Sequence, residues 1–249
     1  MGKIPNVNCK YDEQLNLFLG NIVEYTLRKY ASKLDISSLR EVELINVGEL
    51  PIQTDGRVID GSKIILTSRL FDLLPNYEIE RLYRNKNFKQ IVCTLYHEMG
   101  HINDMKLYPQ IYRAALESED MEEVLPSFFW AEYLAEKRST IIDLTASYFC
   151  ESFLDITWNP ISINESNATV DNFFYLNKVL SYFIARAENT DEKFFDEIKD
   201  EILYKYVCEL RVEIKGLLFK MPFDDIDLLK GLYELMNKYY KQFVRRSRN

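Results

Sequence analysis

The 249 residues carry a formal charge of −8, with 47% hydrophobic and 28% charged residues but only 8 Gly and 7 Pro. That balance excludes a disordered or fibrous chain and predicts an ordered, mainly helical globular protein. The acidic excess argues against a nucleic-acid surface, which needs clustered Lys and Arg, and the length suits a compact domain with a helical extension.

Residues 11 to 33 place Leu15, Phe18, Leu19, Ile22 and Tyr25 on one face of a helix, with Gly20 tolerated inside. Residues 39 to 47 (LREVELINV) alternate as a strand does, and TDGRVIDGSKIILTSRLF predicts one or two more. Gly56 and Gly61 each follow an Asp and read as turn signals around RVI and KIILT. Beyond residue 70 the strand signal is lost. A helix is predicted over 87 to 106, with an Asn before it as cap, and another over 127 to 155, after Pro126 with Ser127 as cap. Three further helical runs follow, roughly 170 to 190, 191 to 218 and 224 to 244, the last with Asp224 and Asp225 at its start. The stretch WNPISINESNAT (158 to 169), where Pro, Asn and Ser concentrate, is the expected weak boundary. The expected layout is an α+β, predominantly helical fold, with a domain over 1–157 and a C-terminal helical extension over 170–249 packed on it.

Cys9, Cys93, Cys150 and Cys208 stand far apart without a C-x-x-C pair, which predicts reduced core residues rather than a disulfide framework. The first twenty residues lack the layout of a secretory signal, and no apolar run reaches the length of a membrane span. A cytoplasmic protein with no membrane contact is expected. The basic cluster of Lys238, Lys241, Arg245, Arg246 and Arg248 reads as a solvated helix end, with contact to an acidic partner as the other reading.

The chemistry concentrates in Tyr96-His97-Glu98-Met99-Gly100-His101. An H-E-x-x-H pattern on a helix sets two imidazoles on one face a turn apart, where they can grip one Zn2+ and leave the Glu beside a metal-bound water. The chain has no other histidine. Phe88, Ile91, Val92, Leu95, Met99 and Ile102 make the helix apolar over most of its circumference, so these polar groups are buried and need partners. Gly100 in mid-helix points to close approach by another element or by substrate. Cys93, one turn before His97, reads as a core residue ahead of a ligand.

Two histidines leave a catalytic zinc site one protein ligand short, and a carboxylate must complete it. A metzincin arrangement is excluded, since Asp104 and Leu107 stand where Gly and His are needed. The segment FFWAEYLAEKRSTIID offers Glu132, Glu136, Ser139 and Asp143 along one helical stripe. Glu132 is the expected metal ligand, and Glu136, a turn further on, the expected outer acceptor for an imidazole N–H; the two could exchange roles. The competing reading of this stripe is a solvated face paired with Lys137 and Arg138.

Strands, the HEMGH helix and a later helix with an acidic ligand resemble the zincin metallopeptidases whose third ligand is a glutamate. Within them the chain is similar to the ImmA/IrrE-like proteins of bacteria and their mobile elements, over about residues 40 to 150. The resemblance implies a zincin-like core with a small antiparallel or mixed sheet, metal ligation by His97 and His101, and proton transfer by Glu98. In place of the family's Glu-Ala-Asn and Phe-Ala stands Glu132-Tyr-Leu-Ala-Glu136-Lys-Arg-Ser139. It implies further a zinc-dependent endopeptidase that selectively cleaves a regulatory protein, so a peptide or protein substrate is the expected partner. The strand KIILT (63 to 67) is expected to receive substrate backbone as an added strand. Two other readings are a zinc-binding regulatory or partner-binding module with little or no peptidase activity, and a helical interaction protein with fortuitous histidines.

Overall fold

Leu15, Phe18, Leu19, Ile22 and Val23 fall at helical spacing and form the buried face of α1 (Glu13–Lys29). The structure, a computed structural model, describes residues 4–9, 13–46, 49, 55–75, 77–142, 149–151, 153–154 and 170–246. The chain divides into two compact units, Met1–Lys106 with Arg138–Thr145, and Leu107–Lys137 with Ala146–Asn249. The stretch 158 to 169, expected as the boundary, lies outside the described residues, as does Asp143.

In the first unit β1 (Asn6–Cys9), β2 (Glu41–Ile45), β3 (Gly56–Ile59) and β4 (Lys63–Thr67) form one mixed sheet in the order β1-β2-β4-β3. β1, β2 and β4 run parallel, and β3 is antiparallel to β4. Parallel pairing of β1 and β2 requires a crossover, which α1 supplies. The β3–β4 hairpin needs only a tight turn. Asp60 and Gly61 provide it with φ of 48° and 61°, and Ser62 N–H donates to the Ile59 carbonyl at 3.0 Å.

Register follows from the alternation in β2 and β4. Val42, Leu44, Ile64 and Leu66 are fully buried, each worth about 1.5–3 kcal/mol, while Glu41, Glu43 and Lys63 occupy the opposite face. A slip of one residue would drive the two carboxylates into the core. Lys63 bonds Glu43 at 2.6 Å and lies 3.6 Å from Glu41, which ties the strands across that polar face. The substrate-strand expectation for KIILT is corrected here, since β4 is paired on both sides; among the described residues β3 pairs only with β4. Gly56 is likewise no turn residue but the first residue of β3.

A short α2 (Ile79–Leu82) precedes α3 (Lys86–Leu107), and Asn85 caps the latter by accepting from the N–H groups of Asn87 and Phe88 at 2.9 and 3.1 Å. Phe88, Ile91, Val92, Leu95, Met99 and Ile102 share one core cluster with α1 and the sheet. The far end of α3 is fastened by Asn103, which accepts from the Asp35 N–H at 2.8 Å, and by Lys106, 2.8 Å from the Asp35 carboxylate. Lys106 first, then the Ser37 backbone and hydroxyl, pull the Asp35 carboxyl down to about 2.

The second unit is helical among its described residues: α4 (Pro109–Glu117), α5 (Met121–Ser139) up to Lys137, α6 (Val170–Asn189), the short α7 (Lys193–Asp196), α8 (Glu201–Lys220) and α9 (Lys230–Arg246). Its core includes Leu180, Phe183, Ile184, Leu203, Leu210 and Met236, all fully buried. Asn177 is satisfied inside this core by the Phe173 carbonyl at 2.7 Å and by the Tyr206 hydroxyl.

Two predicted helices have other bounds. α5 starts at Met121 rather than 127, because Asp120 caps it through the Glu122 N–H at 2.9 Å, and Pro126 is accommodated inside; it ends at Ser139. The run over 191 to 218 is broken, because Asp200 starts α8 by accepting from Ile202 and Leu203 N–H, both at 3.0 Å. Asp224 caps α4 instead of α9, accepting from Gln110 and Ile111 N–H. Lys238 of the basic C-terminal cluster pairs with Glu209. No helix among the described residues is long and apolar enough to cross a membrane.

Candidate metal centre

The apolar spacing of α3 buries most of its surface, and the H-E-x-x-H residues are buried with it: His97, Glu98 and His101 are 6%, 6% and 9% exposed. One turn apart, the two imidazoles meet nearly at right angles, with ring centroids 4.7 Å apart and Nε2 atoms 2.9 Å apart. The same nitrogen of each ring thus faces its counterpart at hydrogen-bond distance.

Glu132 on α5 completes the constellation. His97, His101 and Glu132 each offer one ligand atom, and these atoms all lie within 4.8 Å of one another, so the buried group could hold a metal ion. Imidazole nitrogen and carboxylate oxygen are donors that suit zinc among other divalent ions, zinc taking them at about 2.0–2.2 Å. Two such nitrogens stand roughly 3.4 Å apart around a tetrahedral ion, so the imidazoles need to part only slightly.

Glu136, a turn further along α5, does not belong to this group. Its carboxylate accepts from Arg186 Nε at 2.5 Å. Cys93 also stays outside; its thiol donates to the Ser139 carbonyl at 3.5 Å, as a core residue would. Gly100 is buried in α3.

Glu98 lies against the sheet. A Cβ added to Gly56 would meet Thr94 Cγ2 at 2.9 Å and both Cγ and Oε1 of Glu98 at 3.0 Å. Only glycine lets the edge strand come this close to the Glu98 carboxylate. The sequence held this signal in Asp55-Gly56, where it read as a turn.

Asp104 and Arg138 are further residues that sequence patterning did not assign to the site's surroundings. Asp104, fully buried, sits seven residues after His97 on the same helix, and Arg138 Nη2 donates to both its oxygens at 2.8 and 2.9 Å. Burial pushes the Asp104 carboxyl up; Arg138, the Asn103 amide and the charge of His97 pull it back without cancelling that rise. A carboxylate near His97 adds negative charge beside a group that could hold a metal ion. Its only sequence signal is an acidic residue at helical spacing in an apolar helix.

Fold and site thus define a predominantly helical α+β protein with a small four-stranded mixed sheet and a buried candidate centre of two histidines and a glutamate. No family model, no curated protein and no solved structure matches this chain.

Proposed function

We propose that the chain is a zinc-dependent peptidase, with His97, His101 and Glu132 as metal ligands and Glu98 as the proton carrier. The observation that carries the reading is the convergence of those three ligand atoms, with Glu98 next to His97 on the helix and outside the ligand group. A bound zinc ion supplies Lewis acidity, acidifying a water and polarising a carbonyl. Glu98 accepts the proton of the attacking water and returns it to the leaving amine. Among the described residues β3 stands at the edge of the sheet, where an extended peptide could pair with it, and its first residue, Gly56, lies against Glu98; this supports a peptide substrate. The likeness of HEMGH to the ImmA/IrrE-like motif supports selective cleavage of a regulatory protein.

The first test is elemental analysis of the purified chain alongside hydrolysis of a mixed peptide library. We expect about one zinc per chain and cleavage that a chelator abolishes and zinc restores, with both lost in His97→Ala and His101→Ala. A chain that binds no divalent metal at micromolar concentration ends this reading.

Gly56→Ala tests the placement of Glu98. The added methyl would meet Thr94 Cγ2 at 2.9 Å and Glu98 Cγ and Oε1 at 3.0 Å, so both side chains must give way and the Glu98 carboxylate is displaced. Turnover is expected to fall about 10–100-fold with metal content unchanged, as read from kcat and zinc stoichiometry on one sample. Wild-type turnover would show that Glu98 need not sit where Gly56 allows it.

A further inference from the structure

The acidic stripe of α5 is matched by a stripe on α6. Lys178, Tyr182 and Arg186 recur every four residues and so share one helical face. Arg186 takes Glu136, and the other two take Glu132: the Tyr182 hydroxyl donates to Glu132 Oε2 at 2.6 Å, and the Lys178 ammonium lies 3.9 Å from Oε1. Lys178 is itself placed by the rings of Phe128 and Tyr182, each 5.8 Å from its ammonium. Glu132 is only 8% exposed, so bulk water does little to orient its carboxylate.

We propose that Tyr182 is the positioning residue of the metal centre: its hydroxyl occupies one oxygen of Glu132 and leaves the other as a single-oxygen ligand, which the ion takes in competition with Lys178. The inference rests on the metal-binding reading above. A short O–H···O⁻ bond fixes both the rotation of the carboxylate and the lone pairs left for a cation. An ammonium beside the remaining oxygen acts in the opposite sense, because it already neutralises the charge that the ion must attract. Lys178 is partly exposed, so its opposition is screened and modest. The arrangement gives α6 a function in the site.

The two residues are expected to move metal affinity in opposite directions, which support of the fold alone would not do. Zinc affinity is measured by competition with a chromophoric chelator, and the ligand field by the visible spectrum of the Co2+-loaded protein. Tyr182→Phe is expected to weaken zinc binding about 10–100-fold and to alter the Co2+ bands, since the freed carboxylate can rotate or bind through both oxygens. Lys178→Gln is expected to tighten zinc binding roughly two- to fivefold. Wild-type affinity together with an unchanged Co2+ spectrum in Tyr182→Phe overturns the proposal. If Tyr182→Phe does not fold, Lys178→Gln decides, and unchanged or weaker binding there overturns it. A wild-type chain that takes up neither ion overturns the metal-binding reading and this one together; wild-type uptake with an unaffected Tyr182→Phe overturns this one alone.

Discussion

Replacing Glu98 by Gln is expected to lower peptide hydrolysis by about 10²–10⁴-fold and to leave one zinc bound. The amide keeps the shape of the side chain, so it fits the tight space against Gly56 and Thr94 that the carboxylate now fills. It cannot accept a proton, which is the whole of the task assigned to Glu98. Metal retention is expected because Glu98 is not among the three residues whose ligand atoms converge. The substitution also separates two readings of the same centre. If the zinc is structural or serves a partner-binding module, Glu98→Gln changes neither metal content nor any slow background cleavage. If zinc leaves with the carboxylate, Glu98 is itself a ligand and the assignment of Glu132 must be reopened. Side-by-side turnover and zinc stoichiometry of the two proteins distinguish all three results.

What the sequence made legible was local in the chain. The H-E-x-x-H pair is readable because four residues equal about one helical turn, so spacing alone brings His97 and His101 together, and the apolar residues around them along the helix show it to be buried. Glu132 could be proposed because it begins a stripe of acids, yet nothing local told Glu132 from Glu136. In the structure Glu132 lies in the histidine group, and the two acids bond different partners on α6, about fifty residues later, Glu132 to Tyr182 and Glu136 to Arg186. The stripe was also open to reading as a solvated face, and both acids are buried. Pro126 misplaced the start of α5 because proline usually opens a helix; here the cap at Asp120 sets the start and the helix absorbs the proline. β1 escaped notice for a different reason. Its four residues are half polar, and what makes them a strand is the neighbouring edge of β2.

Arg138→Met is expected to cost about 3 kcal/mol of stability at neutral pH, the lower end of the range for breaking a buried ion pair. The lower end applies because Arg138 is 24% exposed, its Nη1 is buried with no hydrogen-bond partner among the described residues, and Asn103 still donates to Asp104 at 2.7 Å when Arg138 is gone. The cost falls on Asp104, which is fully buried and would keep a charge with no counterion. Such a carboxyl prefers to be protonated in the folded state, so its folded pKa rises further above its unfolded value. The sign of the pH dependence follows: the protonated form's contribution to stability is complete below the unfolded pKa and is lost as pH rises through the folded one. The variant should therefore lie closest to wild type in mild acid and fall behind as pH rises to neutrality. Removing both charges, as Asp104→Leu with Arg138→Met, should recover most of the loss, since a buried pair replaced by apolar groups is often neutral. Asp104→Leu alone should be milder than Arg138→Met alone, because a partly exposed guanidinium can turn to water. Denaturant unfolding of the four proteins at pH 5 and pH 7.5 measures every leg of this cycle; a loss in Arg138→Met that is equal at both pH values would mean that Asp104 is not the group that suffers.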